Sequence, residues 1–255
     1  MMSLGTVEVE NISFSYPDNR EVLKQIKFDV AVRERVALVG PNGSGKTTLF
    51  LLISGILKPA QGCIRISGSE VRHNRFDPEI AYLFQSPDDQ LFSPSVFDDV
   101  AFGPLNMGLS HASVHDRVDA ALARVDCSRH AAQSPHHLSG GEKRMVALAT
   151  LLAMQPSIMM LDEPTSNLDM KNRRRVIETL SILDKTMLIA SHDLEFLLET
   201  CTRALIFDHG KIMKDGPIAE LFSDEDLMRA HHLEKPHSLH PHTHRKEVSG
   251  IPADH

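Results

Sequence analysis

Alternating apolar and polar residues open the chain. The stretch TVEVENISFSY, residues 6–16, has this period-two pattern, which predicts a strand with one buried face. ERVALVG, residues 34–40, is a denser apolar run, typical of a strand buried on both faces. Three further short apolar runs end in polar or charged residues, namely SIMMLDEP, KTMLIASHD and RALIFDHG, and helical patterns such as NRRRVIETLSIL lie between them. Strands that alternate with helices predict an α/β fold with a parallel sheet.

The middle of the chain has a helical period instead. In SVHDRVDAALARV the apolar residues recur three and four positions apart, and a second helical run, GEKRMVALATLLAM, follows. We therefore expect a helical insertion at about residues 90–155. The composition changes only after about residue 230, so the pattern divides the chain into a body, residues 1–230, and a tail, residues 231–255.

Composition and charge exclude several classes of protein. With 42% hydrophobic and 24% charged residues, a chain of 255 residues is neither disordered nor fibrous. A net charge of −7 argues against a nucleic-acid partner. The apolar runs are too short to span a bilayer and the N-terminus lacks the pattern of a secretory signal, so we expect the chain in the cytosol. The three cysteines are widely separated and predict neither a disulfide framework nor a thiolate metal site.

A phosphate-binding loop is predicted at GPNGSGKT. This stretch fits G-x-x-x-x-G-K-[ST] and stands between a predicted strand and a predicted helix. Glycines let backbone N–H groups turn toward phosphates, and the helix N-terminus attracts the same anions. We expect Lys46 to reach the β- and γ-phosphates of a nucleotide and the Thr47 hydroxyl to ligate Mg²⁺. The alternative, a glycine-rich turn with a surface lysine, is disfavoured by the flanking elements. The candidate nucleotide-binding residues here are Gly40, Pro41, Asn42, Gly43, Ser44, Gly45, Lys46, Thr47 and Thr48.

Two adjacent carboxylates end the predicted strand SIMMLDEP. Asp162 and Glu163 stand at the carboxyl edge of the parallel sheet, where open α/β folds bind ligands. One carboxylate can serve the Mg²⁺ shell and the next can orient a water molecule. An acidic strand end is by itself more often a solvent-facing turn, and the phosphate loop is what favours the functional interpretation.

The segment LSGGE has two competing interpretations. Ser139 and Glu142 have the spacing of a capping box for the helix that follows. Gly140 and Gly141 at the same helix N-terminus also leave N–H donors for an anion. The two interpretations compete for the same donors, and the residues alone leave both open.

The tail is rich in histidine. HHLEKPHSLHPHTH, residues 231–244, holds six histidines in fourteen residues, and neutral imidazole suits nickel, cobalt, zinc and copper. Pro236 and Pro241 prevent a helical ligand face, whereas an extended stretch places His240, His242 and His244 on one side. A solvated tail is the alternative. The candidate nickel or cobalt ligands are His237, His240, His242 and His244.

Six motifs stand together in a specific order: the phosphate loop, Gln85, LSGGE, LDEP, SNLD and SHD. With this order the chain resembles ATP-binding-cassette ATPases over about residues 6–225. The resemblance implies a P-loop NTPase (RecA-like) core with a mostly parallel sheet, an N-terminal antiparallel β portion and the inserted helical subdomain. To these the composition adds a flexible His-rich tail. The resemblance implies ATP and Mg²⁺ as cofactors and four residue roles. Tyr16 stacks on adenine, Gln85 couples Mg²⁺ and water to a membrane partner, Glu163 is the general base, and His192 contacts the γ-phosphate. For Tyr16, a strand-end aromatic packed in the core is the alternative.

The resemblance also implies partners. LSGGE of one subunit faces the ATP of another, so we expect a head-to-tail homodimer with two ATP molecules between the subunits. The segment QSPDDQLFSPSVFDDVAFGPLNMGL, with LSGGEKR, resembles energy-coupling-factor importers of the cobalt and nickel branch. That branch implies a transmembrane coupling protein, a substrate-binding membrane component and a peripheral position at the cytoplasmic face of the membrane. Glu142 replaces the glutamine common in the wider family, and Asn167 replaces alanine; neither removes a predicted catalytic group.

Other classes remain as alternatives. A DNA-repair cassette ATPase normally carries a long coiled coil, and no sustained heptads occur here. A translation-type cassette protein has two cassettes in one chain, and here there is one phosphate loop. An importer of another small substrate such as a vitamin, a heterodimer with a second ATPase, and a metal-holding role of the tail that is independent of ATP all stay open.

Overall fold

Two sheets organise the fold. The computed structural model describes residues 6–18 and 21–240. Within that part of the chain, four strands form an antiparallel sheet in the order β2-β1-β4-β5 and six form a second sheet in the order β10-β9-β3-β8-β7-β6. The strands are β1 (Val7–Ser15), β2 (Glu21–Val30), β3 (Arg35–Val39), β4 (Gln61–Ile66), β5 (Ser69–Glu70), β6 (Ile80–Leu83), β7 (Ile158–Asp162), β8 (Thr186–Ala190), β9 (Arg203–Asp208) and β10 (Lys211–Pro217).

The second sheet is the parallel sheet that the sequence predicts. Strand β3 pairs in parallel with β8 and β9, and β7 pairs in parallel with β6 and β8. Only the edge strand β10 runs antiparallel among the described strands of this sheet. All residues of β7 and β8 are buried, as expected of strands covered on both faces. The fold is therefore α/β, with the antiparallel β portion at the N-terminus.

Helices cover the parallel sheet and carry the insertion. Helix α1 follows the phosphate loop directly, and α2, α3 and α4 pack against one another in the region where the sequence predicts a helical insertion. How the chain divides into domains stays a prediction. The helices are α1 (Lys46–Ile53), α2 (Val96–Asn106), α3 (His111–Arg124), α4 (Gly140–Met154), α5 (Met170–Ser181), α6 (Leu194–Thr200), α7 (Ile218–Ser223) and α8 (Glu225–Ala230).

The two faces of the parallel sheet belong to different cores. On β3, Val36 and Leu38 pack with the antiparallel sheet and α1, whereas Ala37 and Val39 pack with the helical insertion. Successive side chains of a strand point to opposite faces, so one short apolar run contributes side chains to both cores. This double burial fixes β3, and with it the position where the phosphate loop begins.

The first residues of the predicted tail lie against the body. Leu233 and Leu239 pack on the core beside the helical insertion, and the Ser238 hydroxyl and N–H both donate to the Glu195 carboxylate, at 2.6 and 3.0 Å. Residues 231–240 therefore differ from the flexible tail that the composition predicts, because two leucines among the histidines supply apolar anchors. His242 and His244 lie outside the described residues.

No helix in residues 6–18 and 21–240 combines the length and the apolar character that crossing a membrane requires.

Candidate functional site

The phosphate loop joins β3 to α1 through a turn that requires glycine. Gly43 and Gly45 have φ angles of 77° and 108°, values that side chains of L-residues rarely tolerate. At Gly45, a Cβ atom would lie 2.5 Å from the Leu23 side chain of β2. The antiparallel sheet therefore packs closely against one side of the loop, and a side chain at position 45 would clash with it.

Lys46 and Ser44 are buried within this loop. Lys46 Nζ donates to the carbonyl oxygens of Gly40 and Pro41, at 2.7 and 3.1 Å. Burial lowers the Lys46 pKa, and the charges of Glu163 and Asp162 oppose that effect. The Ser44 hydroxyl is buried and has no hydrogen-bond partner among the described residues. An ammonium group and an unsatisfied hydroxyl at one loop are what a phosphate oxygen can satisfy.

Asp162 lies at the carboxyl end of β7, where the chain faces the loop. Its Oδ2 accepts hydrogen bonds from the Thr47 hydroxyl, at 2.7 Å, and from the Tyr82 hydroxyl, at 3.2 Å. Burial raises the Asp162 pKa, while these two hydrogen bonds act in the opposite direction. The structure thus brings Thr47 and Asp162 together as the sequence predicts. The sequence does not predict Tyr82 as a site residue, because its contact with Asp162 depends on β6 lying beside β7.

Glu163 is held by its backbone and by the strand beside it. Its φ of 51° lies in the left-handed region, which costs a non-glycine residue about 1–2 kcal/mol. Its Oε2 accepts from the Ser191 hydroxyl and from the His192 N–H, both at 3.3 Å. Burial raises the pKa of the Glu163 carboxyl, and the His192 charge opposes the rise. A carboxylate with a raised pKa at the edge of a cleft is suited to accept a proton.

His192 connects Glu163 to the phosphate loop. Its Nε2 lies 2.9 Å from Asn42 Oδ1, which accepts, and 3.5 Å from Glu163 Oε1. The ring is about half exposed toward the cleft. The Asn42 contact closes the gap between the end of β8 and the phosphate loop, and nothing in the sequence pairs these two residues.

These residues line one cavity of about 290 Å³. Tyr16 and Val22 form the wall on the side of the antiparallel sheet, and the Tyr16 hydroxyl lies 3.3 Å from Thr48 Oγ1. Gln85, just after β6, is exposed and lines the opposite wall. Gly40 and Pro41 are connected to the cavity through Lys46, whose Nζ donates to their carbonyl oxygens. The lining residues are Tyr16, Val22, Asn42, Gly43, Ser44, Gly45, Lys46, Thr47, Thr48, Gln85, Asp162, Glu163 and His192.

The LSGGE segment is not part of this cavity. Ser139 caps α4: its hydroxyl accepts from the Glu142 N–H at 3.3 Å, and its N–H donates to Glu142 Oε2 at 3.0 Å. The capping interpretation is therefore confirmed. The box engages the N–H groups of Ser139 and Glu142, and those of Gly140 and Gly141 lie in the first turn of the helix, where N–H groups have no intrahelical acceptor. Capping and anion binding can coexist.

The oxygen donors at the cavity suit a hard divalent cation. Thr47 and Asp162 offer a hydroxyl and a carboxylate in contact, the donor types that Mg²⁺ prefers, and Gln85 offers an amide on the facing wall. Mg²⁺ commonly uses one or two protein oxygens and completes its shell with water and phosphate. In residues 6–18 and 21–240 no group of three or more histidine, cysteine, aspartate or glutamate side chains is placed to hold a metal ion.

Comparisons with known proteins agree with this geometry. The family model described as ABC transporter matches residues 23–166. A protein of Synechocystis sp. named as an ABC transporter ATP-binding protein is 50% identical over 233 residues, which is 91% of this chain and 82% of that protein. The energy-coupling factor transporter ATP-binding protein EcfA of Methanothermobacter thermautotrophicus is 43% identical, over 90% of this chain and 76% of that protein. The solved structure of cbiO1 from Clostridium perfringens, part of the ABC transporter complex cbiONQ, has a TM-score of 0.76 at 34% identity and covers 89% of this chain and 94% of that one.

Proposed function

The chain belongs to the ABC transporter family of ATP-binding proteins, and from that membership we propose that it powers an energy-coupling-factor importer of cobalt or nickel. ATP hydrolysis coupled to transport is the activity of the family. The coupling-factor type, the cargo and the individual residue roles are the proposal, and each rests on different contacts.

The nucleotide site carries out the hydrolysis. In this proposal Lys46 moves from the carbonyls of Gly40 and Pro41 to the β- and γ-phosphates, and the Ser44 hydroxyl and the loop N–H groups bind phosphate oxygens. Glu163 accepts a proton from the attacking water, since its carboxylate reaches the cleft between β7 and β8. His192 contacts the γ-phosphate, and its bond to Asn42 keeps the ring beside the loop. Tyr16 stacks on adenine.

Thr47, Asp162 and Gln85 hold Mg²⁺ in this proposal. When bound, the ion neutralises charge on the β- and γ-phosphate oxygens. The chain's own contribution is to fix the Asp162 carboxylate, which Thr47 and Tyr82 hold from two sides.

A head-to-tail homodimer completes the site. The Ser139–Glu142 segment lies outside the chain's own nucleotide cavity, Ser139 and Gly140 are exposed, and the Gly140 and Gly141 N–H groups belong to the first helical turn, which has no intrahelical acceptors for them. A second copy can therefore bring these donors to the γ-phosphate of the first. A heterodimer with a second ATPase is the alternative, and the subunit composition of the purified transporter distinguishes the two.

A groove beside Gln85 is the proposed docking site for the transmembrane coupling protein. Phe92 and Phe102 meet edge to face, with ring centroids 5.1 Å apart, and both are half exposed or more. Tyr82 lines the groove with its ring, while its hydroxyl binds Asp162 of the nucleotide site. A docked helix would thus contact the residue that holds Asp162. Leu91 precedes Phe92 in the sequence but cannot contact a partner, since it is 5% exposed and packs in the core.

Charge placed in the groove tests the docking. Phe92→Glu should abolish stimulation of hydrolysis by the membrane partner and leave MgATP binding by the isolated chain unchanged. Val32→Glu is the matched control, because Val32 and Phe92 are both 66% exposed and Val32 lies in the turn between β2 and β3. Full coupled activity of the Phe92→Glu complex would place the docking site elsewhere.

The cargo is proposed from the resemblance and the histidines. Similarity to EcfA and to cbiO1 supports the coupling-factor type, and neither name states a metal. Uptake of radiolabelled cobalt and nickel, measured in cells expressing the chain with the membrane proteins encoded beside it, tests the cargo. Uptake should require Glu163, so Glu163→Gln is the control. A transporter that instead accumulates a vitamin in a Glu163-dependent manner would replace the metal.

The tail is proposed as an accessory metal holder. His237 and His240 have ring centroids 5.9 Å apart, and His242 and His244 follow them in the sequence. We expect modest affinity, in the order copper, nickel, cobalt, because imidazole sites follow that intrinsic preference and four histidines spread over residues 237–244 must gather around one ion. Selection of cargo then belongs to the membrane component.

Substitution tests the tail better than truncation, because Ser238 and Leu239 contact the body. Replacing His237, His240, His242 and His244 with asparagine should remove most nickel and cobalt binding seen by calorimetry at about pH 7.5, and binding by the parent should weaken in acid, because protonated imidazole cannot ligate a metal ion. Hydrolysis should stay near the parent value. His136→Asn with His137→Asn is the control, since both side chains are exposed and outside the tail. Unchanged metal binding would show that the tail histidines hold no metal.

A further inference from the structure

A buried arginine joins three motif-bearing segments. Arg144 lies in the second turn of α4 and is 3% exposed. Its Nη1 donates to the Phe84 carbonyl at 2.9 Å, and its Nη2 donates to the Gln85 carbonyl at 2.5 Å and to the Ser166 hydroxyl at 3.1 Å. The guanidinium thus contacts the Gln85 loop and the turn after Glu163 from a helix that begins at LSGGE.

The chain of contacts reaches the backbone of Glu163. The Ser166 hydroxyl donates to the Glu163 carbonyl at 3.0 Å, and the Ser166 N–H donates to the same oxygen at 3.2 Å. This turn fixes the left-handed backbone of Glu163, which sets the direction of its carboxylate. Arg144 therefore contacts the residue that locks Glu163 and the loop that presents Gln85.

The geometry needs a guanidinium. Burying a charge is unfavourable unless hydrogen bonds satisfy it, and here the acceptors are two carbonyls and a hydroxyl on separate segments. Burial lowers the Arg144 pKa, and the nearby charges of Glu163 and Asp162 counteract this. A planar fork of five N–H donors spans three acceptors, whereas a lysine ammonium is a single point. Helix packing alone would be served by an apolar residue.

We propose that Arg144 is a positioning residue that fixes the Gln85 loop and the Glu163–Ser166 turn relative to each other, so that both motifs contact the same nucleotide. The inference rests on the proposed roles of Gln85 and Glu163. Because Ser139 caps α4, any displacement of the LSGGE segment is transmitted through Arg144 to both groups. Nucleotide affinity depends on other residues, namely Lys46, Thr47 and Tyr16, whereas the hydrogen bonds of Arg144 go to Phe84, Gln85 and Ser166.

Steady-state hydrolysis by the full-length chain, normalised to the number of MgATP sites bound, separates positioning from folding. Arg144→Met should lower kcat about 10- to 100-fold and change KM less than about threefold, because misplacement of a reacting group by about 1 Å can cost about 100-fold. Arg144→Lys should restore part of the loss. Ser166→Ala, which keeps the arginine, should lower kcat about threefold.

A second arginine provides the control. Arg117 also donates to backbone carbonyls of α4, those of Ala153 and Met154, at the opposite end of the helix. Arg117→Met should leave kcat and KM unchanged.

Two results would overturn the proposal: kcat of Arg144→Met within twofold of the parent, or a loss that appears in KM alone. If Arg144→Met does not fold, Arg144→Lys and Ser166→Ala decide, and parent-like kcat in both overturns it. The assignment of Glu163 as the general base is tested independently of Arg144. It would be refuted by a Glu163→Gln chain that hydrolyses ATP at the parent rate.

Discussion

At the scale of single residues, the adjacent carboxylates Asp162 and Glu163 have different surroundings. Asp162 ends a buried strand and accepts two hydroxyl donors, an arrangement that keeps a metal ligand fixed. Glu163 turns away through a left-handed backbone and accepts from the N–H of His192, which follows the neighbouring strand β8. One step of the chain separates the proposed cation ligand from the proposed base because the strand ends between them.

The raised pKa of the Glu163 carboxyl predicts a pH-dependent effect on stability. Where burial raises the folded pKa, stability is full below the unfolded pKa of about 4.3 and falls as pH rises through the folded pKa. Glu163→Gln removes this loss. Without nucleotide and with a chelator present, we expect its melting temperature to match the parent below about pH 4 and to exceed it by about 2–4 °C at about pH 8. A gap that is constant with pH would contradict the burial argument.

The ring of Tyr16 predicts a change in binding without a change in chemistry. Tyr16→Ala should raise KM for MgATP about 10-fold with little change in kcat, because stacking of a base on an aromatic side chain is worth about 1–3 kcal/mol. Tyr16→Phe keeps the ring and loses only the contact with Thr48 Oγ1, so it should stay within about twofold of the parent. Equal KM values for Tyr16→Ala and the parent would favour a packing role for this residue.

At the scale of elements, α4 combines a cap with a proposed anion site. Ser139→Ala should lower the free energy of unfolding by about 1 kcal/mol and the melting temperature by about 2–4 °C. Ser110 is the matched control, because its hydroxyl caps α3 in the same way. In a Glu163→Gln background, Ser139→Ala should weaken ATP-dependent dimerisation and Ser110→Ala should not. If the Ser139→Ala and Ser110→Ala variants dimerise equally, Ser139 serves only as the cap of α4.

The order of elements was predictable from the sequence, and their contacts were not. The period of each apolar run identifies β1, β3, β7, β8 and β9, and the motif flanks position the phosphate loop. Strand order depends on pairings distant in sequence, so the contact between Tyr82 and Asp162 becomes visible only when β6 lies beside β7. Arg144 has no sequence signal of its own, because a basic residue in an amphipathic helix predicts a solvated side chain.

At the scale of the whole molecule, the C-terminal segment contacts the helix that follows His192. Glu195 in α6 accepts from Ser238, and Asp208 at the end of β9 accepts from His231 Nδ1 at 3.0 Å. The composition predicts a free tail because histidine, proline and charge dominate it, yet two leucines and these hydrogen bonds hold residues 231–240 against the body. A composition averaged over a polar segment does not reveal a few apolar residues that attach it to the body.

The central claim, that Glu163 activates water at a site that binds MgATP independently of it, is tested most directly by one variant. MgATP turnover, MgATP affinity and ATP-dependent dimerisation are measured on Glu163→Gln and on the parent. The amide keeps the size of the side chain and cannot accept the proton, so turnover should fall about 10²- to 10⁴-fold while affinity persists and the dimer accumulates. Lys46→Ala should instead lose affinity. Hydrolysis by Glu163→Gln at the parent rate would contradict the account.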